Sequence, residues 1–101
     1  MNARQEFLEH VKGKEVLCAW IRYELSYDEK DNEYFNLARN HNEITYQNFL
    51  NLLDFEYDNG YGGQELFGTI WYKDGTWSGR GEYDGSEWWK YHKVPEIPDY
   101  L

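Results

Sequence analysis

Asp54, Glu56, Asp58 and Glu65 occupy positions 1, 3, 5 and 12 of a twelve-residue window, the spacing at which an EF-hand loop gathers oxygens around calcium. That loop also needs glycine at position 6 for its sharp turn. Asn59 stands there, with Gly60 one place late and strand-like flanks, so no metal site is assigned. Glu82 with Glu87 or Asp84 has the makings of a carboxylate pair for general acid–base or glycoside chemistry. Nearly any acidic sheet offers such pairs, and no catalytic residue is assigned. His10, His41 and His92 lack zinc-ligand spacing, and Cys18 lies on a strand with no activating base nearby in sequence. The run GYGG (60–63) lacks the Lys and Ser/Thr of a phosphate loop. No enzyme, metal or cofactor is therefore expected, and the question becomes one of binding.

Charge and rings bear on that question. The 101 residues carry a formal charge of −9, which repels phosphates and argues against direct nucleic-acid partners. Residues 24–58 hold nine carboxylates against Lys30 and Arg39, a net of −7. Such a concentration is either a docking surface for a basic partner or a solvated face that aids solubility. Aromatic residues make up 20% of the chain, more rings than one small core hides, and Tyr and Trp are favoured at interfaces. A single cysteine excludes an intrachain disulfide, and no stretch has the length and apolarity of a membrane span or signal peptide. The expectation is one soluble cytoplasmic domain over 1–101.

The elements that position these residues follow from periodicity. Phe7, Leu8 and Val11 predict a helix over 3–12, stopped by Gly13. Alternation over 15–25 predicts a strand with Leu17, Ala19, Ile21, Tyr23 and Leu25 on one face. After the polar loop 26–32, residues 33–40 read as the return strand of a hairpin, or as helix. Tyr46, Phe49, Leu50 and Leu53 predict a second helix with Thr45 as N-cap, and 53–57 reads as a strand.

Asp74-Gly75 and Asp84-Gly85 are signals for two-residue hairpin turns. Two such turns set Tyr72 against Trp77, Ile70 against Gly79, Gly68 against Gly81 and Leu66 against Tyr83, then Gly81 against Trp88 and Gly79 against Lys90. On that register the second helix covers the face bearing Trp77 and Trp88. The opposite face then carries Phe67, Thr69 and Trp71, Ser78, Arg80 and Glu82, and Glu87, Trp89 and Tyr91. It is either a second core or an open platform.

The segments Tyr61-Gly62-Gly63-Gln64-Glu65-Leu66-Phe67-Gly68, Asp74-Gly75-Thr76-Trp77 and Arg80-Gly81-Glu82-Tyr83-Asp84-Gly85-Ser86-Glu87-Trp88-Trp89 resemble a pattern found in small proteins of tailed bacteriophages. The likeness covers about half the chain and brings no catalytic residue across. It implies a phage origin and action in the cytoplasm of the infected host.

The fold expected is α+β: an antiparallel sheet of five to six strands, an N-terminal hairpin plus a C-terminal meander, with one or two helices on one face. The function expected is a non-enzymatic binding protein that blocks or redirects a host protein with a basic surface, such as a defence nuclease. Partner contacts are expected at Asp28, Glu29, Asp31, Glu33, Trp71, Arg80, Trp89 and Tyr91. Two alternatives are a small-ligand or saccharide binder stacking on Trp71, Trp89 and Tyr91, and an assembly protein that forms a homodimer through its aromatic face.

Overall fold

The computed structural model describes residues 1–24, 32–58, 63–95 and 97–101. Helix α1 (Ala3–Val11) begins at Asn2, whose side chain accepts the N–H of Gln5, and ends before Gly13 at φ +83°. Strand β1 (Val16–Tyr23) pairs with β2 (Glu33–Leu37), as the hairpin reading expected. Helix α2 (Glu43–Leu52) is capped by Asn42; Thr45, expected to be the cap, is instead the N3 partner in a capping box, its hydroxyl accepting the Asn42 N–H. Strands β3 (Leu66–Tyr72), β4 (Trp77–Tyr83) and β5 (Ser86–His92) follow. All neighbours are antiparallel, in the order β2-β1-β3-β4-β5, so the fold is α+β, with five strands and two helices among the described residues.

Both helices lie on the same face of the sheet. Phe7 of α1 meets Phe49 of α2 edge-on, with ring centroids 5.5 Å apart. Beneath them are Val16, Ala19, Ile21, Phe35, Leu37, Leu66, Ile70 and Tyr72, all buried. This is the one large apolar layer of the described residues.

Three sequence expectations fail here for local reasons. Residues 53–57 form no strand; their ladder contact is a single bridge between Glu56 and Asn2. In β1 the register shifts between Val16 and Cys18, so Leu17 is an extra residue. The bulge turns Val16, rather than Leu17, into the row of Ala19 and Ile21.

The third failure is the register of β3 with β4. Ile70 pairs with Ser78 and Trp71 with Trp77, one residue away from the expected pairing, so Ile70 and Trp77 point to opposite faces. The loop contains three residues, not two. Gly75 alone has positive φ, +88°, and the Tyr72 N–H donates to the Thr76 carbonyl at 3.0 Å. Asp74 accepts the Thr76 N–H at 2.9 Å, a local turn that fixes the longer loop. The second hairpin is as expected: Asp84 at +52° and Gly85 at +87° make the two-residue turn, and Gly81 pairs with Trp88. The slip in the first hairpin therefore carries Ser78, Arg80, Glu87, Trp89 and Tyr91 under the helices, and Trp77 and Trp88 to the other side.

Candidate functional site

Beneath α1 the core is polar. The Arg80 side chain is 2% exposed, yet it stands between Glu6 of α1 and Glu87 of β5. Its Nη2 donates to Glu87 Oε1 at 2.6 Å and to the Tyr57 hydroxyl at 3.1 Å. Its Nη1 lies 3.2 Å from Glu6 Oε2 without hydrogen-bond alignment, so that contact is Coulombic. The Tyr57 hydroxyl donates to Glu6 in turn. Glu87 also accepts the backbone N–H groups of Glu65 and Leu66, at 2.8 and 3.0 Å. The guanidinium rests on the Trp89 ring, 4.9 Å from its centroid. Burial, aided by the bond to Glu6, pushes the Tyr57 phenol well above its ordinary range.

One turn along α1, His10 Nε2 lies 2.8 Å from Ser78 Oγ, which lies 2.7 Å from the Tyr72 hydroxyl. A Ser–His contact of this length resembles an activated nucleophile. Ser78, however, is 0% exposed, and the His10 ring is stacked on Tyr91 at 4.0 Å. This hydroxyl offers no attacking atom to a substrate; the chain of bonds ties α1 to the sheet. The Tyr91 hydroxyl adds a bond to the His10 carbonyl. Burial lowers the His10 pKa to about 4, and the Arg80 charge adds to the effect. Burial likewise raises Tyr72 to about 12.

A pH dependence follows. In the unfolded chain His10 takes its proton near its ordinary pKa of 6.5, whereas in the fold it does so only near about 4. Below pH 6.5 the unfolded state therefore binds more protons. The contribution of neutral His10 is intact above pH 6.5 and shrinks as pH falls toward 4. The expected result is that the stability difference between the wild type and His10→Gln, from urea midpoints, is flat above pH 6.5 and changes steadily below it. A difference independent of pH from 4 to 7 would place His10 in contact with water.

At the end of the sheet where β1 stops and β2 and β3 begin, carboxylates gather. A shallow depression there is lined by Met1, Tyr23, Glu56, Tyr57, Asp58 and Glu65. Burial raises the Tyr23 phenol, and the charges of Glu65, Asp58, Glu33 and Glu87 all add to the shift. Four acids drawn from β2, the segment after α2, the approach to β3, and β5 thus converge on one ring. Burial also lifts the Glu65 carboxyl, against the stabilising N–H of Asp58, with the charges of Asp58 and Glu87 assisting. Among the described residues no group of three or more His, Cys, Asp or Glu is placed to hold a metal ion. The opposite end of the sheet is mixed, with Lys14 paired to Asp74 and Lys73 to Glu15.

The expected contact residues divide accordingly. Glu33 is exposed on the edge strand β2 at the acidic end, while Asp28, Glu29 and Asp31 lie outside the described residues. Trp71 is 40% exposed on the helix-free face. Arg80 and Trp89 are core groups, and Tyr91 is on the helix side with its ring partly open. A stacking platform of Trp71, Trp89 and Tyr91 does not exist, because those rings are on opposite sides of the sheet. No protein-family model, curated protein or solved structure matches the chain. No described helix is long and apolar enough to cross a membrane.

The sequence does not single out Glu6 or Tyr57; it offers His10 only as a histidine without zinc-ligand spacing and Ser78 only as a member of a strand face. Glu65 enters the sequence reading only through a failed calcium pattern and a resemblance motif, not as a site residue. The cross-strand pair Arg80–Trp89 was legible, because the second Asp-Gly turn sets it by counting.

Proposed function

We propose that the chain is a non-enzymatic binding protein that docks through its acidic end on a host protein with a basic surface, and so blocks or redirects it. The observation that carries this reading is the segregation of charge along the strands. Glu24, Glu33, Glu56, Asp58, Glu65, Glu82 and Asp84 lie toward one end of the sheet. The cations near them among the described residues are Arg22, the terminal ammonium and the buried Arg80, and all are already paired, with Glu24, with Glu56, and with Glu6 and Glu87. Of the six described carboxylates of residues 24–58, Glu24, Glu33, Glu56 and Asp58 are at this end, and Glu65 and Glu82 from the C-terminal half extend it. A focused negative field speeds encounter with a basic surface and rejects acidic ones. The phage resemblance supplies the setting, the cytoplasm of an infected cell.

Charge complementarity acts mainly on association, and salt screens it with a Debye length near 8 Å at about 0.15 M. Replacing Asp28, Glu29, Asp31 and Glu33 together by lysine is expected to slow association with the partner captured from bacterial lysate by about tenfold or more at low salt. The salt dependence should flatten, while dissociation changes little. Surface-plasmon kinetics at two salt concentrations measure both rates. An unchanged association rate would reduce these four carboxylates to a solvated surface.

A further inference from the structure

We propose that the helix-free face of the sheet is the contact surface of a homodimer. Four of the five tryptophans, Trp20, Trp71, Trp77 and Trp88, point to this face, with Phe67 and Tyr83 beside them. Trp71 and Trp88 are 40% and 42% exposed, and Tyr83 is 76% exposed. Scattered apolar groups on a surface need no explanation, but a contiguous ring-rich face marks an interaction site.

Two glycines shape this face. A Cβ on Gly81 would stand 2.8 Å from the Trp88 indole, and one on Gly79 would stand 3.2 Å from Trp77. The indoles therefore lie down over the bare backbone instead of standing away from it. Trp77 is further held by His92, stacked at 4.2 Å. The result is a flat surface with ring faces outward, suited to another flat surface about 10 Å away, as in sheet-on-sheet packing. Among the described residues, depressions lie around Lys14, reaching the edge of this face at His92, and around Tyr23.

The charge pattern selects the occupant. In a chain of net −9, no outward position of the five strands carries a carboxylate. The outward charges are Lys90 and Arg22, the latter stacked on Phe67 at 4.5 Å and paired with Glu24. Two copies of so acidic a protein repel one another through most other approaches; here they meet without a single strand carboxylate between them. Depletion of charge with enrichment of rings is the composition of a homodimer interface core. A basic partner would find nothing on this face to pair with, and two cations are too few for a nucleic-acid strand. Size agrees as well. Five strands about 4.8 Å apart and about seven residues long span roughly 24 by 23 Å. That projected area, with side-chain relief added, approaches the about 800 Å² per partner of a standard interface. The dimer is independent of the acidic-end reading, and it would carry two acidic ends in one particle, giving avidity for a multivalent partner.

The test is the solution mass of the full chain by sedimentation equilibrium. The wild type should have twice the monomer mass of 12.3 kDa. Trp88→Glu, which places a carboxylate on the face, should weaken the dimer by about 30- to 1,000-fold, the range of an interface hot spot. Trp71→Ser should weaken it without adding charge. Both positions are solvent-facing, so circular dichroism and melting of the separated monomers should remain near wild type. A monomeric wild type at its highest soluble concentration overturns the proposal, and then loss of a heterologous partner by the same variants would assign the face to that partner. A dimer undiminished in both variants also overturns it and points to the edge strands β2 and β5.

Discussion

Arg80→Ala is expected to cost about 3–5 kcal/mol of folding stability, the loss seen when one member of a buried ion pair is removed. The side chain is 2% exposed and Glu87 is 0% exposed, so water does not replace the lost partner. Glu87 would keep its two backbone N–H donors but lose the 2.6 Å bond to the guanidinium. Glu6 would lose its countercharge, and Trp89 the cation on its face. Domains of this size have about 5–15 kcal/mol in total, so one substitution would consume a large fraction. Lysine is a poor substitute, because one ammonium cannot reach Glu6, Glu87 and Tyr57 from the positions of a planar fork. The double change Arg80→Met with Glu87→Gln is expected to recover part of the loss, since it removes both charges and keeps most of the volume. Urea midpoints at constant slope measure these differences. A loss below about 1 kcal/mol for Arg80→Ala would match a solvated pair, not a buried one.

The polar seam under α1 explains why the sequence misled at this point. Ser78, Arg80 and Glu82 alternate with Trp77, Gly79, Gly81 and Tyr83, and elementary patterning turns the polar set outward. In the structure the polar set faces the helices, because α1 brings Glu6 and His10 to meet it. Those partners are far away along the chain, and no local period reports them. The first hairpin compounds the error. Asp-Gly-Thr and Asp-Gly-Ser look alike, yet Asp74 bonds Thr76 and makes a three-residue loop, whereas Gly85 donates to Glu82 at 2.9 Å within a two-residue turn. A one-residue difference in loop length exchanged the faces of two strands.

What depended on apolar periodicity alone was legible. Both helices stand within three residues of their expected bounds, and the β1–β2 hairpin, the second Asp-Gly register and the α+β class follow from pattern and turn chemistry. Of the expected contacts, Glu33, Trp71 and Tyr91 are exposed, at different places on the molecule. The acidic end was only half visible, because Glu65 and Glu82 join it through sheet pairing and not through sequence proximity. The ring-rich outer face was visible as an excess of aromatics, but its membership needed the correct register.

Trp88 and Trp89 are adjacent, and their alanine variants are expected to behave in opposite ways. Trp89 is 7% exposed, with the Arg80 guanidinium on one side and His10 6.3 Å away between ring centroids. Its far edge reaches across to β3, where a Cβ on Gly68 would stand 3.0 Å from Cη2. Removing that ring empties a volume bounded by α1 and three strands, at a cost of about 3–5 kcal/mol for a buried aromatic. For about 100 residues each kcal/mol shifts the melting temperature by about 4–8 °C, so the fall should exceed roughly 12 °C. Trp88, 42% exposed on the other face, should change monomer stability by about 0.5 kcal/mol or less, the range of ordinary surface substitutions. Its effect belongs to association. The pair therefore separates core from contact surface with two single substitutions: Trp89→Ala lowers the melting temperature and leaves the intrinsic dimer contact alone, whereas Trp88→Ala weakens the dimer and leaves the monomer's melting alone. If Trp88→Ala proved the more destabilising of the two in the monomer, the register of β5 beneath α1 would be wrong by one residue, and the polar seam and the outer face would change places with it.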